Sequence, residues 1–239
     1  MFLKGFSSFA VTRLMILCFM TFGMTACSSS PNAALDLSAI NAAVMPVEVQ
    51  TPLMKAAAIA DVSGIREALA KGESVNAYTQ QASALSLALK NGHYTLAKFL
   101  VRAGADANLG FSAGEPSAMI LAADVAQNEL VTALIVQGYD IDYTDARGYS
   151  ALAVAAIGGH LTTLNILLNA GADVDVAPEQ RSILMHAVAD ENTLIAQQLI
   201  AAGADVNSID QSGETALSIA RQAGFFDLDL MLVQAGARL

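Results

Sequence analysis

The sequence predicts an all-α solenoid of about six helix-turn-helix repeats with finger-like loops. Glycine recurs with a period of 32 to 34 residues, a hydroxyl residue stands 21 positions before each of these glycines, and alanine supplies much of the 54% apolar content. A fixed period of this length is typical of stacked repeats, in which each unit buries its apolar face against the next. The small alanine side chain favours close approach of neighbouring helices.

Two sets of aligned residues mark the ends of the predicted repeats. The hydroxyl residues are Thr51, Ser83, Ser117, Ser150, Ser182 and Thr215, and the glycines are Gly72, Gly104, Gly138, Gly171, Gly203 and Gly236. A Thr or Ser side chain accepts hydrogen bonds from the free amides at the start of a helix, so each is predicted to cap a first helix. Each glycine is predicted to be left-handed after a second helix, a conformation that costs other residues about 1 to 2 kcal/mol.

Two helices are predicted in each repeat, joined by a tight turn. The first helices are rich in alanine, as at Ala155-Ala156, and the second helices carry leucines at helical spacing, as at Leu164 and Leu167. Glycine permits the turn in two repeats, at Gly92 and Gly159. The turns that lack this glycine are predicted to be weaker, and they contain Ala60-Asp61, Ala126-Gln127 and Glu191-Asn192.

The strings around the glycines carry a family resemblance. Residues 104–108 read Gly-Ala-Asp-Ala-Asn, and 171–175 and 203–207 are close variants. They resemble the end of an ankyrin repeat, and Ser150-Ala151-Leu152 resembles its start. The resemblance implies an ankyrin-repeat domain over 49–239 that binds another protein, with repeats at about 49–76, 77–108, 109–142, 143–175, 176–207 and 208–239.

The N-terminus differs from the repeats and predicts export. Residues 1–26 carry only Lys4 and Arg13 as charges and contain the apolar run 14–24, which is typical of a signal peptide and short for a transmembrane helix. Met24-Thr25-Ala26-Cys27 resembles the lipobox of bacterial lipoproteins. This implies acylation of Cys27 and, with Ser28 behind it, an outer-membrane lipoprotein facing the periplasm; cleavage and release as a soluble periplasmic protein is the alternative.

Residues 27–48 are predicted to form the lipidated N-terminus, a polar linker and a capping helix. The linker begins with Ser28-Ser29-Ser30-Pro31-Asn32, a small polar stretch suited to a tether. Residues 33–45 contain apolar side chains that are predicted to shield the first repeat. The lipid is the expected contact with the membrane.

The charge balance bears on the class of partner. The chain has 12 basic and 22 acidic residues, a net charge of −10, and loss of Lys4 and Arg13 would make it −12. Nucleic acid and anionic lipid surfaces would repel such a protein, and a basic protein surface would attract it. The alternative is that this charge serves only to keep a repeat protein soluble.

No catalytic or metal-binding constellation stands out in the sequence. Cys18 lies in the signal peptide and Cys27 is the predicted acylation site, so no thiol is expected to remain for a disulfide, a redox pair or a metal site. His93 and His160 occupy equivalent repeat positions, and His186 lacks a nucleophile or metal-ligand cluster at a motif spacing. We therefore predict a protein that is not an enzyme and needs no cofactor or metal.

The family resemblance places partner contacts at loop tips and at exposed ends of first helices. We expect a monomeric scaffold or accessory factor that binds an envelope protein; the alternative is an inhibitor or immunity protein that blocks a basic enzyme or toxin. Aromatic and arginine side chains most often carry binding energy, which favours Arg147 with Tyr149, then Phe111 and Arg181. The other expected contacts are Thr79, Gln80, Lys90, Asp124, Ile157, Glu179, Asp190, Gln211 and Glu214.

Overall fold

A computed structural model describes residues 45–80 and 82–238 of the chain, and within them twelve helices form six antiparallel pairs. The predicted all-α repeat solenoid is confirmed. The first helices of the pairs are α1 Pro52–Ala58, α3 Ala84–Lys90, α5 Ala118–Asp124, α7 Ala151–Ile157, α9 Ile183–Ala189 and α11 Ala216–Ala223. The second helices are α2 Val62–Ala70, α4 Tyr94–Arg102, α6 Asn128–Val136, α8 Leu161–Asn169, α10 Thr193–Ala201 and α12 Phe226–Gln234.

Side-chain caps start all six first helices. The predicted hydroxyl residues each accept a hydrogen bond from a backbone amide in the first turn of their helix. At Ser83 and Thr215 the bond is reciprocal, because the side chains of Ser86 and Ser218 bind back to the backbone of the capping residue. These caps satisfy amides that would otherwise have no partner at the helix start.

Buried alanines let the first helices stack closely. Ala57, Ala88, Ala122, Ala155 and Ala220 are each fully buried. Contacts run from each first helix to the next, and the second helices fill the space beside them with leucines such as Leu164 and Leu167. Apolar burial is therefore continuous along the stack, and each repeat contacts its neighbours in sequence.

The turns between the two helices of a pair differ in strain. Gly92, Gly159 and Gly224 have φ values of +75°, +71° and +77°, which glycine adopts freely. Ala60 and Ala126 have φ of +55° at the equivalent turn, and Glu191 has +52°. The three turns that lack glycine therefore carry backbone strain.

Relieving this strain should stabilise the protein. Ala126→Gly is expected to raise the free energy of unfolding by about 0.5 to 1 kcal/mol, because relief of the left-handed alanine exceeds the added flexibility of the unfolded chain. Urea denaturation measures the change. Ala170→Gly is the control, since Ala170 ends α8 with an ordinary φ of −86° and its replacement should lower stability. Equal shifts in both variants would contradict this account.

Hydrogen bonds join the base of one finger to the next repeat. The Asn76 side chain accepts from the amide of Asp106 at 2.7 Å, and Asp142 and Asp175 accept from Asp173 and Asp205 at 2.8 Å. Asn207 accepts from the amide of Arg238 at 2.8 Å. At these four junctions, an Asn or Asp that follows the glycine therefore ties its repeat to the next one as well as shaping its own loop.

The N-terminal edge of the described chain is extended. Met45–Pro46 (β1) pairs in parallel with Ala77–Tyr78 (β2) of the second finger, the loop between α2 and α3, and the Val47 amide donates to the Tyr78 carbonyl at 2.8 Å. The predicted capping helix was placed at 33–45, so its last residue lies in a strand, where pairing with the finger satisfies the backbone. The rest of that helix, the signal peptide and Cys27 lie outside the described residues. Within the described ranges, no helix is both long and apolar enough to cross a bilayer.

Candidate protein-binding surface

The fingers and the ends of the first helices bring several of the predicted contact residues together. Two clusters form, each built around an aromatic ring with a cation beside it. The first combines Lys90 from the end of α3 with Phe111 in the third finger, which is the loop between α4 and α5. The second combines Arg147 and Tyr149 of the fourth finger, between α6 and α7, with Glu179 of the fifth, between α8 and α9. Adjacent fingers therefore build shared surfaces, which sequence spacing alone does not specify.

In the first cluster, Lys90 bridges a ring and a carboxylate. Its ammonium lies 5.3 Å from the centre of the Phe111 ring and 2.8 Å from Glu115 Oε2. Glu115 also accepts a hydrogen bond from the Ser112 amide at 3.0 Å, and these contacts lower the pKa of its carboxyl. The Lys90 ammonium thus has intramolecular partners, and its contact with Phe111 holds the ring at the edge of the finger. The pairing of Glu115 with Lys90 was not predicted from the sequence, because the two residues lie 25 positions apart.

In the second cluster, Arg147 lies over Tyr149. The guanidinium carbon is 4.7 Å from the ring centre, within the range of a cation–π interaction. The Arg147 side chain is 67% exposed, whereas Asp145, whose Oδ2 is 3.7 Å from the guanidinium, is buried. Burial raises the pKa of the Tyr149 hydroxyl, and the charge of Glu179 raises it further. This pair offers a protein partner an exposed cation on a fixed aromatic support.

Arg181 and His186 lie beside the second cluster. Among the described residues, Arg181 Nε and His186 Nε2 are buried nitrogens without a hydrogen-bond partner. Burial lowers the pKa of the His186 imidazole, and the charge of Arg181 lowers it further, so the neutral ring is favoured. His93 and His160 have structural contacts instead, because each Nε2 donates to a carbonyl of the preceding repeat, that of Ala58 at 3.1 Å and that of Asp124 at 2.8 Å.

The remaining predicted contacts are distributed along the stack. Thr79 donates to the Ala82 carbonyl at 3.3 Å and Glu214 accepts from Gln222 at 3.2 Å, so both have intramolecular contacts. Ile157 is half-buried at the end of α7. The other four side chains are exposed, and they are Gln80, Asp124, Asp190 and Gln211. Their role as contacts stays a prediction.

A cleft at the base of the third finger adds residues that the sequence did not single out. Its volume is about 280 Å³, and its apolar walls include Phe111, Met119, Tyr139 and Tyr143. Tyr139 and Tyr143 were missed because they follow a second helix, where the repeat pattern assigns them only to the turn. Within the same described ranges, no group of three or more His, Cys, Asp or Glu side chains is arranged to hold a metal ion.

Comparison with known proteins identifies the repeats. A family model described as "Ankyrin repeats (3 copies)" matches residues 118–210, and one described as "Ankyrin repeat" matches residues 80–110, so that together they match more than half of the chain. The chain belongs to the ankyrin-repeat family. Ankyrin-repeat arrays are protein–protein interaction modules, and the fold is generally non-catalytic.

Relatives and solved structures agree with this family assignment. The ankyrin repeat and KH domain-containing protein mask-1 of Caenorhabditis elegans is 30% identical over 193 residues, which are 78% of this chain and 7% of that protein. The chain thus spans a small part of that relative's length. An ankyrin repeat domain from Acinetobacter baumannii AYE superposes with a TM-score of 0.71 at 29% identity, covering 78% of this chain and 98% of that one. The ankyrin repeat domain of Bcl-3 has a TM-score of 0.66 at 28% identity, covering 79% and 87%.

Proposed function

We propose that this ankyrin-repeat protein is a monomeric scaffold or accessory factor of the bacterial envelope, which binds one envelope protein and is not an enzyme. The observation that carries the proposal is the pair of cation–aromatic clusters on adjacent fingers, with Arg147 over Tyr149 as the more exposed of the two. Arginine and tyrosine are over-represented among residues that dominate binding energy. Their fixed geometry lowers the ordering cost that a partner would otherwise have to offset.

The charge of the array supports a partner with a basic surface. Five ion pairs lie within the described residues, so most of the carboxylates described have no cation beside them. Those on the fingers include Asp140, Asp173 and Asp205, which are all exposed. A surface with one dominant sign attracts the opposite sign and speeds association at low salt.

Removal of the second cluster should weaken partner binding. With full-length tagged protein as bait in detergent-solubilised membranes, the double variant Arg147→Ala/Tyr149→Ala is expected to recover at least about tenfold less of the specific partner, because each hot-spot truncation costs more than about 1 kcal/mol. Quantitative mass spectrometry of the captured proteins measures the loss. The control Glu67→Ala/Lys71→Ala removes an exposed ion pair at the C-terminal end of α2 and should bind normally. Equal recovery from the two double variants would contradict the assignment.

The proposal also includes a lipid anchor at Cys27. The basis is the lipobox resemblance of residues 24–27 and the signal-like segment before it. Each buried methylene of an acyl chain contributes about 0.8 kcal/mol, so several chains hold a protein at a membrane. Confinement to one membrane raises the local concentration of the array near a partner in the same layer.

Loss of the anchor should change location and leave the fold unaltered. Cys27→Ala is expected to move the protein out of the outer-membrane fraction, because the acylated thiol is removed. Its unfolding temperature should stay within about 1 °C of the parent's, since the residue precedes the repeats. Fractionation followed by immunoblotting and a thermal melt of each form provide the two measurements. A variant that stays in the membrane fraction would refute the lipoprotein assignment.

The salt dependence of the captured complex separates a scaffold from an inhibitor. The uncompensated carboxylates on the fingers also suit a basic enzyme or toxin as the target. A one-to-one complex that abolishes the target's activity and weakens steeply with salt would favour the inhibitor or immunity role. Moderate binding without loss of the partner's activity would favour the scaffold.

A further inference from the structure

The cleft at the base of the third finger is sized for one side chain. Its volume of about 280 Å³ is below the roughly 300 to 1,000 Å³ typical of sites that enclose a whole small molecule. Phe111, Met119, Leu134, Tyr139 and Tyr143 provide apolar walls. A single large apolar side chain from a protein partner suits such a space better than a cofactor does.

The cleft coincides with a change in the hydrogen bonds between repeats. Four of the five junctions have a side chain that accepts from an amide of the next repeat, as described above. At the junction of the second and third repeats, the equivalent residues are Asn108 and Asp140, and among the described residues no such bond joins them. Both residues line the cleft instead. The space is therefore a specific departure from the repeat pattern.

Intramolecular bonds fix the walls of the cleft. The Tyr139 hydroxyl accepts from the Ala107 amide at 2.7 Å and donates to the Ala105 carbonyl at 3.2 Å. The Tyr143 hydroxyl donates to the Glu115 carbonyl at 3.0 Å. Glu115 in turn holds Lys90. Because both tyrosine hydroxyls are already satisfied, a ligand meets fixed aromatic surfaces and little side-chain order has to be created on binding.

Negative charge flanks the cleft on one side. Asp140 is exposed at the rim, and no lysine or arginine of the described residues pairs with it. Burial raises the pKa of the Tyr139 hydroxyl, and the nearby charge of Asp106 adds to that effect. The carboxylate of Glu115 is matched by Lys90, so the uncompensated charge lies on the Asp140 and Asp106 side.

We propose that the cleft binds a large apolar side chain of a protein partner, such as phenylalanine or leucine, that is flanked by a lysine or arginine. This rests on the proposed function of the array as a protein-binding module and specifies the chemistry of its partner. The apolar side chain fills the space between Phe111 and Tyr139, and the neighbouring cation approaches Asp140. Anchors of this kind in a central pocket dominate many protein interfaces.

Short peptides test the site without any envelope partner. Full-length protein with labelled methionine and leucine methyl groups, purified from membranes in detergent, is titrated with acetyl-Lys-Phe-Lys-amide and followed by NMR. We expect saturable shifts of the Met119 and Leu134 methyl resonances. The peptides acetyl-Lys-Ala-Lys-amide and acetyl-Glu-Phe-Glu-amide, which lack the apolar anchor and the cations, should each bind at least about tenfold more weakly.

Matched variants locate the interaction. Ala113→Trp adds a large side chain at the exposed lining residue Ala113 and should weaken the Lys-Phe-Lys peptide by at least about tenfold, whereas Ala170→Trp at an exposed alanine outside the fingers should not. Asp140→Asn retains the acceptor for the Asp142 amide while it removes the charge, and about threefold weaker binding is expected. Asp173→Asn removes a charge at the equivalent position of the next repeat and should bind as the parent does.

The outcomes separate this inference from the proposed function. Equal binding of the Phe and Ala peptides, or undiminished binding to Ala113→Trp, would overturn the cleft as an anchor site. A captured envelope partner that binds Ala113→Trp as well as the parent would also overturn it and would leave the scaffold role intact. Saturable, anchor-dependent peptide binding supports the cleft even where capture recovers no partner.

Discussion

Gly110→Ala is expected to destabilise the array by about 3 kcal/mol or more. A Cβ atom on Gly110 would lie 2.2 Å from the backbone nitrogen of Ser83 and 2.6 Å from the carbonyl carbon of Ala82. These are backbone atoms at the capped start of α3, so relief requires the third finger to move away from the second repeat. The residue also has φ of +79°, which adds left-handed strain. The midpoint of urea denaturation measures the loss.

Gly213→Ala separates the two causes. Gly213 has φ of +81°, nearly the same as Gly110, and a Cβ there would have no neighbour within 4 Å. This variant should therefore lose only the conformational part, about 1 kcal/mol. If both alanine variants lose the same amount, the close approach of the third finger to Ser83 does not contribute to stability.

Leu164→Ala is the second large effect, and about 3 kcal/mol is expected. Leu164 lies on α8 and is fully buried in the centre of the stack. Truncation of such a residue removes buried methylenes and leaves a cavity, which costs 2 to 5 kcal/mol in comparable cores. Because repeats contact only their neighbours, hydrogen exchange should rise first in the fourth repeat and in the repeats on either side of it.

Leu230→Ala on α12 is the matched control. The same atoms are removed, but Leu230 is 59% exposed on the last repeat, where no described repeat follows to cover it. The change in unfolding free energy should stay below about 0.5 kcal/mol. A large loss at Leu230 together with a small one at Leu164 would show that the buried stripe of the second helices has been placed on the wrong face.

The repeat architecture could be predicted because its signals are local and recur six times. Capping hydroxyls, left-handed glycines and alanines each have a cause within a few residues, so agreement between repeats reinforces each of them. Comparison of the repeats also predicted that the turns at Ala60, Ala126 and Glu191 are weaker than those with glycine. Their positive φ values show that a residue other than glycine adopts the left-handed conformation there. The strand at Met45–Pro46 was not foreseen, because its partner lies 32 residues away in the second finger.

The candidate surface was predicted in part, and the reason is distance along the chain. Arg147 and Tyr149 are two residues apart, and their pairing needs only the local turn. The Lys90–Glu115 ion pair and the Tyr143 bond to the Glu115 carbonyl join residues 25 and 28 positions apart. At the cleft, bonds of the Tyr139 hydroxyl to residues 32 and 34 positions away stand where other junctions have an Asn or Asp acceptor, and no pattern in one sequence marks such a change.

The hydrogen bonds between neighbouring fingers limit which loops can be transplanted into the array or lengthened. A finger grafted from another repeat protein would need the matching Asn or Asp acceptor in the preceding unit, because at four junctions the neighbour supplies that bond. The fourth finger, which follows Asp140, is released from this requirement, because among the described residues no such bond joins Asn108 to the Asp140 amide. The third finger is the longest, with eight residues between Asn108 and the cap at Ser117 against six or seven in the other fingers, but it keeps the bond from the Asp106 amide to Asn76. Insertions are therefore best accommodated in the fourth finger.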